Sequence, residues 1–86
     1  MERQVTLTNG AGLHARPASV FVAEANKFSS DVFVEADGKR VNAKSILGLL
    51  TLGLPQGTTI TIITEGSDAE QALNTLSNLV ETGFGE

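Results

Sequence analysis

Residues 31–42 read DVFVEADGKRVN. Two strand-like runs, 31–36 and 39–42, flank the pair Asp37-Gly38. Both positions of that pair tolerate positive φ, which a two-residue hairpin turn demands. The stretch therefore predicts an antiparallel hairpin, and the rest of the chain arranges itself around it. Upstream, residues 3–8 alternate in polarity with Val5 and Leu7 on one face, the signature of a strand. Downstream, residues 58–64, TTITIIT, are dense in β-branched side chains and predict a fourth strand.

Helices fill the intervals. Over residues 15–27, Ala15, Ala18, Val22 and Ala25 recur at helical spacing with Phe21 beside them. Pro17 in the first turn costs no intrahelical hydrogen bond. A short helix is expected from Ser45 to Leu52, with Gly53 as its stop and Pro55-Gln56-Gly57 turning the chain. The last helix is expected from Asp68 to Thr82, with Ser67 and Glu70 as a capping box and Gly83 just past its end. Ala69, Ala72, Leu73, Leu76 and Val80 give it one apolar face. The order is β-α-β-β-α-β-α. One antiparallel sheet with three helices on one face buries all these stripes, so the fold class is α+β, an open-faced sandwich.

The 86 residues fit one small domain, expected to span 1–86. Hydrophobic residues make up 41% and charged residues 19%, which suits a globular chain rather than a disordered one. The absence of Cys excludes disulfides, thiolate zinc sites and cysteine nucleophiles. Neither a metal site nor a cofactor is read. A formal net charge of −4 argues against nucleic acid as a direct partner. With no apolar leader and no membrane-length apolar run, a cytoplasmic protein without membrane insertion is expected.

The middle helix is apolar nearly all round: Ile46, Leu47, Leu49, Leu50 and Leu52. A surface helix needs only one apolar stripe. Either the helix is well buried, or part of this set is a partner surface. The only histidine, His14, sits just before the first helix. Such a residue is often a plain loop or cap. Here the first N–H groups of the helix lack intrahelical acceptors and, with the helix dipole, form an anion site. Arg16 adds a cation whose planar fork suits phosphate. A neutral imidazole nitrogen at such a place can accept a phosphoryl group.

Residues 12–19, GLHARPAS, closely resemble the phosphorylation-site motif of HPr, the histidine-containing phosphocarrier family of the phosphoenolpyruvate-dependent sugar phosphotransferase system. Residues 41–54, VNAKSILGLLTLGL, resemble the regulatory-serine segment of the same family. The resemblance covers essentially the whole chain and implies the same fold. It implies that His14 takes a phosphoryl group on Nδ1 from enzyme I and passes it to an enzyme IIA domain. The protein is then a stoichiometric intermediate, not an enzyme in the usual sense. By the same resemblance Arg16 neutralises the phosphate, the Ala15 and Arg16 amides donate to it, and Pro17 and Ser19 shape the motif.

Ser45 aligns with a serine that an ATP-dependent kinase/phosphorylase modifies in many members. That implies carbon catabolite control and a catabolite control repressor as a further partner. Ser45 also reads as a plain helix N-cap. Ile46, Leu47 and Leu50 match the family's docking patch. Lys39, Arg40 and Lys44 fall in segments near the site and could steer acidic partners.

Two alternatives are a regulatory paralogue that acts only through the serine and a non-catalytic interaction module using the middle helix. The known paralogues of the first kind lack the active-site histidine. A carrier in a nitrogen-linked branch also stands open. Residues 38–45, GKRVNAKS, fall short of a phosphate-binding P-loop, because Ala43 stands where the second glycine is needed.

Overall fold

The computed structural model describes residues 1–85. Its elements are β1 (Glu2–Thr6), α1 (Ala15–Ala25), β2 (Asp31–Ala36), β3 (Lys39–Asn42), α2 (Ile46–Leu50), β4 (Thr59–Glu65) and α3 (Ala69–Glu81), then a tight C-terminal turn over Gly83–Gly85. The four strands form one antiparallel sheet in the order β1-β4-β2-β3. Asp37 and Gly38 both have positive φ, 52° and 77°, as the hairpin requires.

Strand alternation sorts the sheet into two faces. Val5, Val32, Val34, Ile60 and Ile62 point to the helices and are buried. Phe21, Leu49, Leu73, Leu76 and Val80 meet them from α1, α2 and α3. The opposite face carries mainly polar side chains such as Thr6, Thr59 and Glu35. Its apolar exceptions, Phe33 and Ile63, face each other in register, and the Arg40 guanidinium lies 5.7 Å from the Phe33 ring.

The expected capping box of α3 does not form. The N-cap is Asp68, one residue later, and its side chain makes no cap hydrogen bond. The carboxylate reaches instead across to the start of β2. It accepts from the Ser29 and Ser30 backbone N–H groups, each at 2.9 Å, and from the Ser30 hydroxyl. Ser67 is drawn to Ser29, hydroxyl to hydroxyl at 3.3 Å. A tertiary clamp has thus taken the side chains that local rules assigned to the helix end.

The Ser30 hydroxyl, with the Ser29 amide, holds the Asp68 carboxyl down from 3.8 to about 2. A lowered carboxyl stabilises the fold fully above its ordinary range, and that contribution drains away as pH falls towards 2. The Asp68→Asn variant should therefore unfold at lower temperature than wild type at pH 7. The gap between the two should narrow as pH falls from about 4 to about 2. Thermal unfolding followed across that range checks this.

The chain ends on an unusual turn. Gly83, Phe84 and Gly85 all have left-handed backbone, with φ of 72°, 60° and 78°. For Phe84 this costs roughly 1–2 kcal/mol. The ring is only 5% exposed and belongs to the main core, which offsets that cost.

Candidate phosphoryl-acceptor site

The site is built on the loop between β1 and α1. Asn9 starts it by closing a turn on Gly12: the Gly12 N–H donates to the Asn9 carbonyl, and Asn9 Nδ2 donates to the Gly12 carbonyl. Gly12 has a φ of +68°. A side chain there would stand 2.2 Å from the Leu54 carbonyl oxygen, so the loop presses directly on residues 54–55. The Leu13 N–H then donates to that same Leu54 oxygen at 2.8 Å. Further along, Gln56 Nε2 donates to the Thr8 carbonyl and the Gly57 N–H to that of Leu7. The 53–57 segment thus backs the whole loop.

This support delivers His14 to the N-cap of α1. Its backbone is extended, its carbonyl accepts from the Ala18 N–H at 2.9 Å, and its exposed side chain makes no cap hydrogen bond. Pro17, at the third helical position, has no N–H. The open donors of the first turn therefore reduce to Ala15 and Arg16, the two residues that follow His14. Arg16 is exposed, and no carboxylate among the described residues pairs with it. One exposed histidine at a helix start is thus followed directly by two backbone donors and an exposed cation, a set of groups able to hold an oxyanion.

Against this cluster lies a shallow depression of about 440 Å³, lined by Leu13, His14, Leu50, Leu54 and Pro55 among others. Leu50 therefore shares a surface with His14. Leu47 is 73% exposed and Leu50 38%, whereas Leu49 is fully buried and Ile46 half-buried against the core. Of the three patch residues, Ile46 thus gives part of its side chain to the core. Ser45 caps α2, with its Oγ accepting from the Gly48 N–H at 3.4 Å, and stays exposed.

The wider basic set does not gather here. Lys44 Nζ donates to the Phe28 carbonyl at 2.7 Å, beyond the C-terminal end of α1. Arg40 pairs with Glu35 on the far face of the sheet. Residues 39–42 are a strand, which removes any phosphate-binding loop at 38–45. The contribution of Leu54 and Pro55 had no sequence signal beyond a turn. Only the tight approach at Gly12 reveals it.

The family model for the PTS HPr component phosphorylation site matches residues 1–82. This chain belongs to that family. The HPr-like protein Crh of Halalkalibacterium halodurans is 52% identical over 81 residues, which is 94% of this chain and 96% of that protein. HPr-C-His from Thermoanaerobacter tengcongensis is 49% identical with a TM-score of 0.96, over 100% of this chain and 97% of that one. The phosphocarrier protein HPr from Bacillus anthracis is 52% identical with a TM-score of 0.90, over 93% and 95%. Among the described residues no helix is long and apolar enough to cross a membrane.

Proposed function

We propose that this chain is a phosphocarrier whose His14 accepts a phosphoryl group from phospho-enzyme I and passes it to enzyme IIA domains of sugar permeases. The observation that carries this reading is the setting of His14: exposed, at the head of α1, followed by two open amides and an arginine that no carboxylate among the described residues pairs with. In the forward step the Nδ1 lone pair attacks phosphorus. The new N–P bond forms as the bond to the donor breaks, and the transferred oxygens carry the developing charge. Arg16 and the Ala15 and Arg16 amides would stabilise that charge before and after transfer. The return step to the next acceptor reverses the same bonds. The protein is consumed and regenerated as a stoichiometric intermediate in the cytoplasm.

Partners would dock on Ile46, Leu47 and Leu50, with the shared depression bringing their active sites to His14. Ser45 would be the control point, phosphorylated from ATP by an HPr kinase/phosphorylase, with a catabolite control repressor as a reader of that state. A second reading is favoured by the 52% identity to an HPr-like Crh protein: a regulatory paralogue acting through Ser45 alone. Against it stands the complete GLHARPAS motif.

The test is chemical. After incubation with phosphoenolpyruvate and enzyme I, the protein should carry an acid-labile, base-stable phosphoramidate. His14→Ala should abolish it while leaving the thermal transition near that of wild type, because the side chain is exposed. Absence of label on the wild type under these conditions would overturn the carrier reading in favour of the second.

A further inference from the structure

The C-terminal turn meets the loop that supports His14. A Cβ built on Gly83 would stand 3.6 Å from Thr8 Oγ1 and 3.9 Å from Asn9 Cβ, so the turn lies alongside the start of that loop. Asn9 is the residue that closes on Gly12 from both its backbone and its side chain. Two residues beyond that closure stands His14. The turn also packs beside α1 and α3. Its anchor is Phe84, an aromatic residue in left-handed backbone between two left-handed glycines.

Left-handed backbone at a bulky residue persists only where the surroundings over-determine it. Here the restraint is the burial of the ring in the main core. Take the ring away and the burial that holds the one non-glycine of the turn in left-handed backbone is lost. The surface against which Thr8 and Asn9 rest would then relax. The contacts of the loop with Leu54 would remain. The loop thus has two neighbours along its length, residues 54–57 and the C-terminal turn.

We infer that Phe84 is a positioning residue for phosphoryl transfer: it locks the C-terminal turn against Thr8 and Asn9 and so fixes the Asn9–Gly12 closure that presents His14. It touches neither phosphate nor imidazole. Its role in transfer rests on the carrier reading above; its role in loop order does not.

The experiment uses the full chain at a temperature well below unfolding. Phe84→Ala and Phe84→Leu are compared with Val32→Ala, a core truncation at the other end of the sheet, where Val32 pairs with Thr64. Amide hydrogen exchange is read at Gly12 and Leu13, and His14 phosphorylation from enzyme I is read as kcat and KM.

Phe84→Ala should speed exchange at Gly12 at least tenfold more than Val32→Ala does. It should also lower kcat at least fivefold, while Phe84→Leu should restore most of both. Equal effects from Phe84→Ala and Val32→Ala would overturn the proposal, as would unchanged exchange at Gly12. Should Phe84→Ala fail to fold, Gly83→Ala carries the same two outcomes, because it strains the turn while keeping the ring. If wild type takes no label on His14, the carrier reading falls, and the exchange comparison still decides the positioning claim.

Discussion

A Gly12→Ala variant is expected to lose about a hundredfold or more in phosphoryl transfer, because displacing a reacting group by roughly 1 Å costs on that order. Two independent restraints act at this residue. Its φ of +68° is left-handed, which costs an alanine about 1–2 kcal/mol. Its Cβ would also meet the Leu54 carbonyl oxygen at 2.2 Å, with Pro55 backbone atoms at 2.7 and 2.8 Å. These obstacles are backbone, and no side chain can swing away to make room. The loop must lift, and the first bond to go is that from the Leu13 N–H to Leu54, worth about 1 kcal/mol. Together these give a destabilisation of about 2–3 kcal/mol. That is a large share of the roughly 5–15 kcal/mol available to a typical domain. His14 would stay in the sequence and leave its place. Denaturant unfolding together with single-turnover labelling checks both halves, and unchanged transfer would refute the account of the loop.

Phosphorylation of Ser45 is expected to raise the KM for enzyme I about a hundredfold with little change in kcat and no loss of helix. The hydroxyl is exposed at the N-cap of α2, its acceptance from Gly48 is long at 3.4 Å, and nothing buried lies in the path of a phosphate. A dianion at a helix start suits the open N–H groups there. Inhibition must then arise at the surface that partners cover. Leu47 is 73% exposed, two residues from Ser45, so a partner seated on it would desolvate the new charge. Several kcal/mol of mismatch at an interface, at about 1.4 kcal/mol per tenfold, gives two or more orders of magnitude in KM. Circular dichroism of the phosphorylated protein together with steady-state kinetics separates this from a melted helix, which would lower kcat as well.

The sheet was legible because its signals are local. Asp37-Gly38 has the positive φ its hairpin needs, the alternation in residues 3–8 assigns faces, and the β-branched density of 58–64 marks a strand, all without reference to anything distant. Gly83 likewise sits one residue past the C-cap of α3, Thr82, as its type suggested. Local rules failed where a side chain had a better partner far along the chain. Ser67 and Glu70 have capping-box spacing, yet Asp68 takes the N-cap and turns its carboxylate to Ser29 and Ser30. Lys44 lies near the candidate site in sequence and spends its charge on the Phe28 carbonyl. Ala15 has the spacing of the apolar stripe of α1 but is exposed at the first helical position, where no neighbour covers it. The site divides in the same way. His14, Arg16 and Ser45 are readable as types at helix starts. The grip of Leu54, Pro55 and the C-terminal turn on the loop exists only in three dimensions.

The central claim is that His14 both receives and gives away a phosphoryl group. The most direct measurement supplies phosphoenolpyruvate, a catalytic amount of enzyme I and a purified enzyme IIA domain, then follows phosphate on all three proteins with and without this chain. The account predicts that enzyme IIA acquires phosphate only when the chain is present, that phospho-His14 appears first, and that His14→Ala stops the flow. Phosphate confined to Ser45 after treatment with ATP and the kinase, with none on His14 and none reaching enzyme IIA, would contradict it.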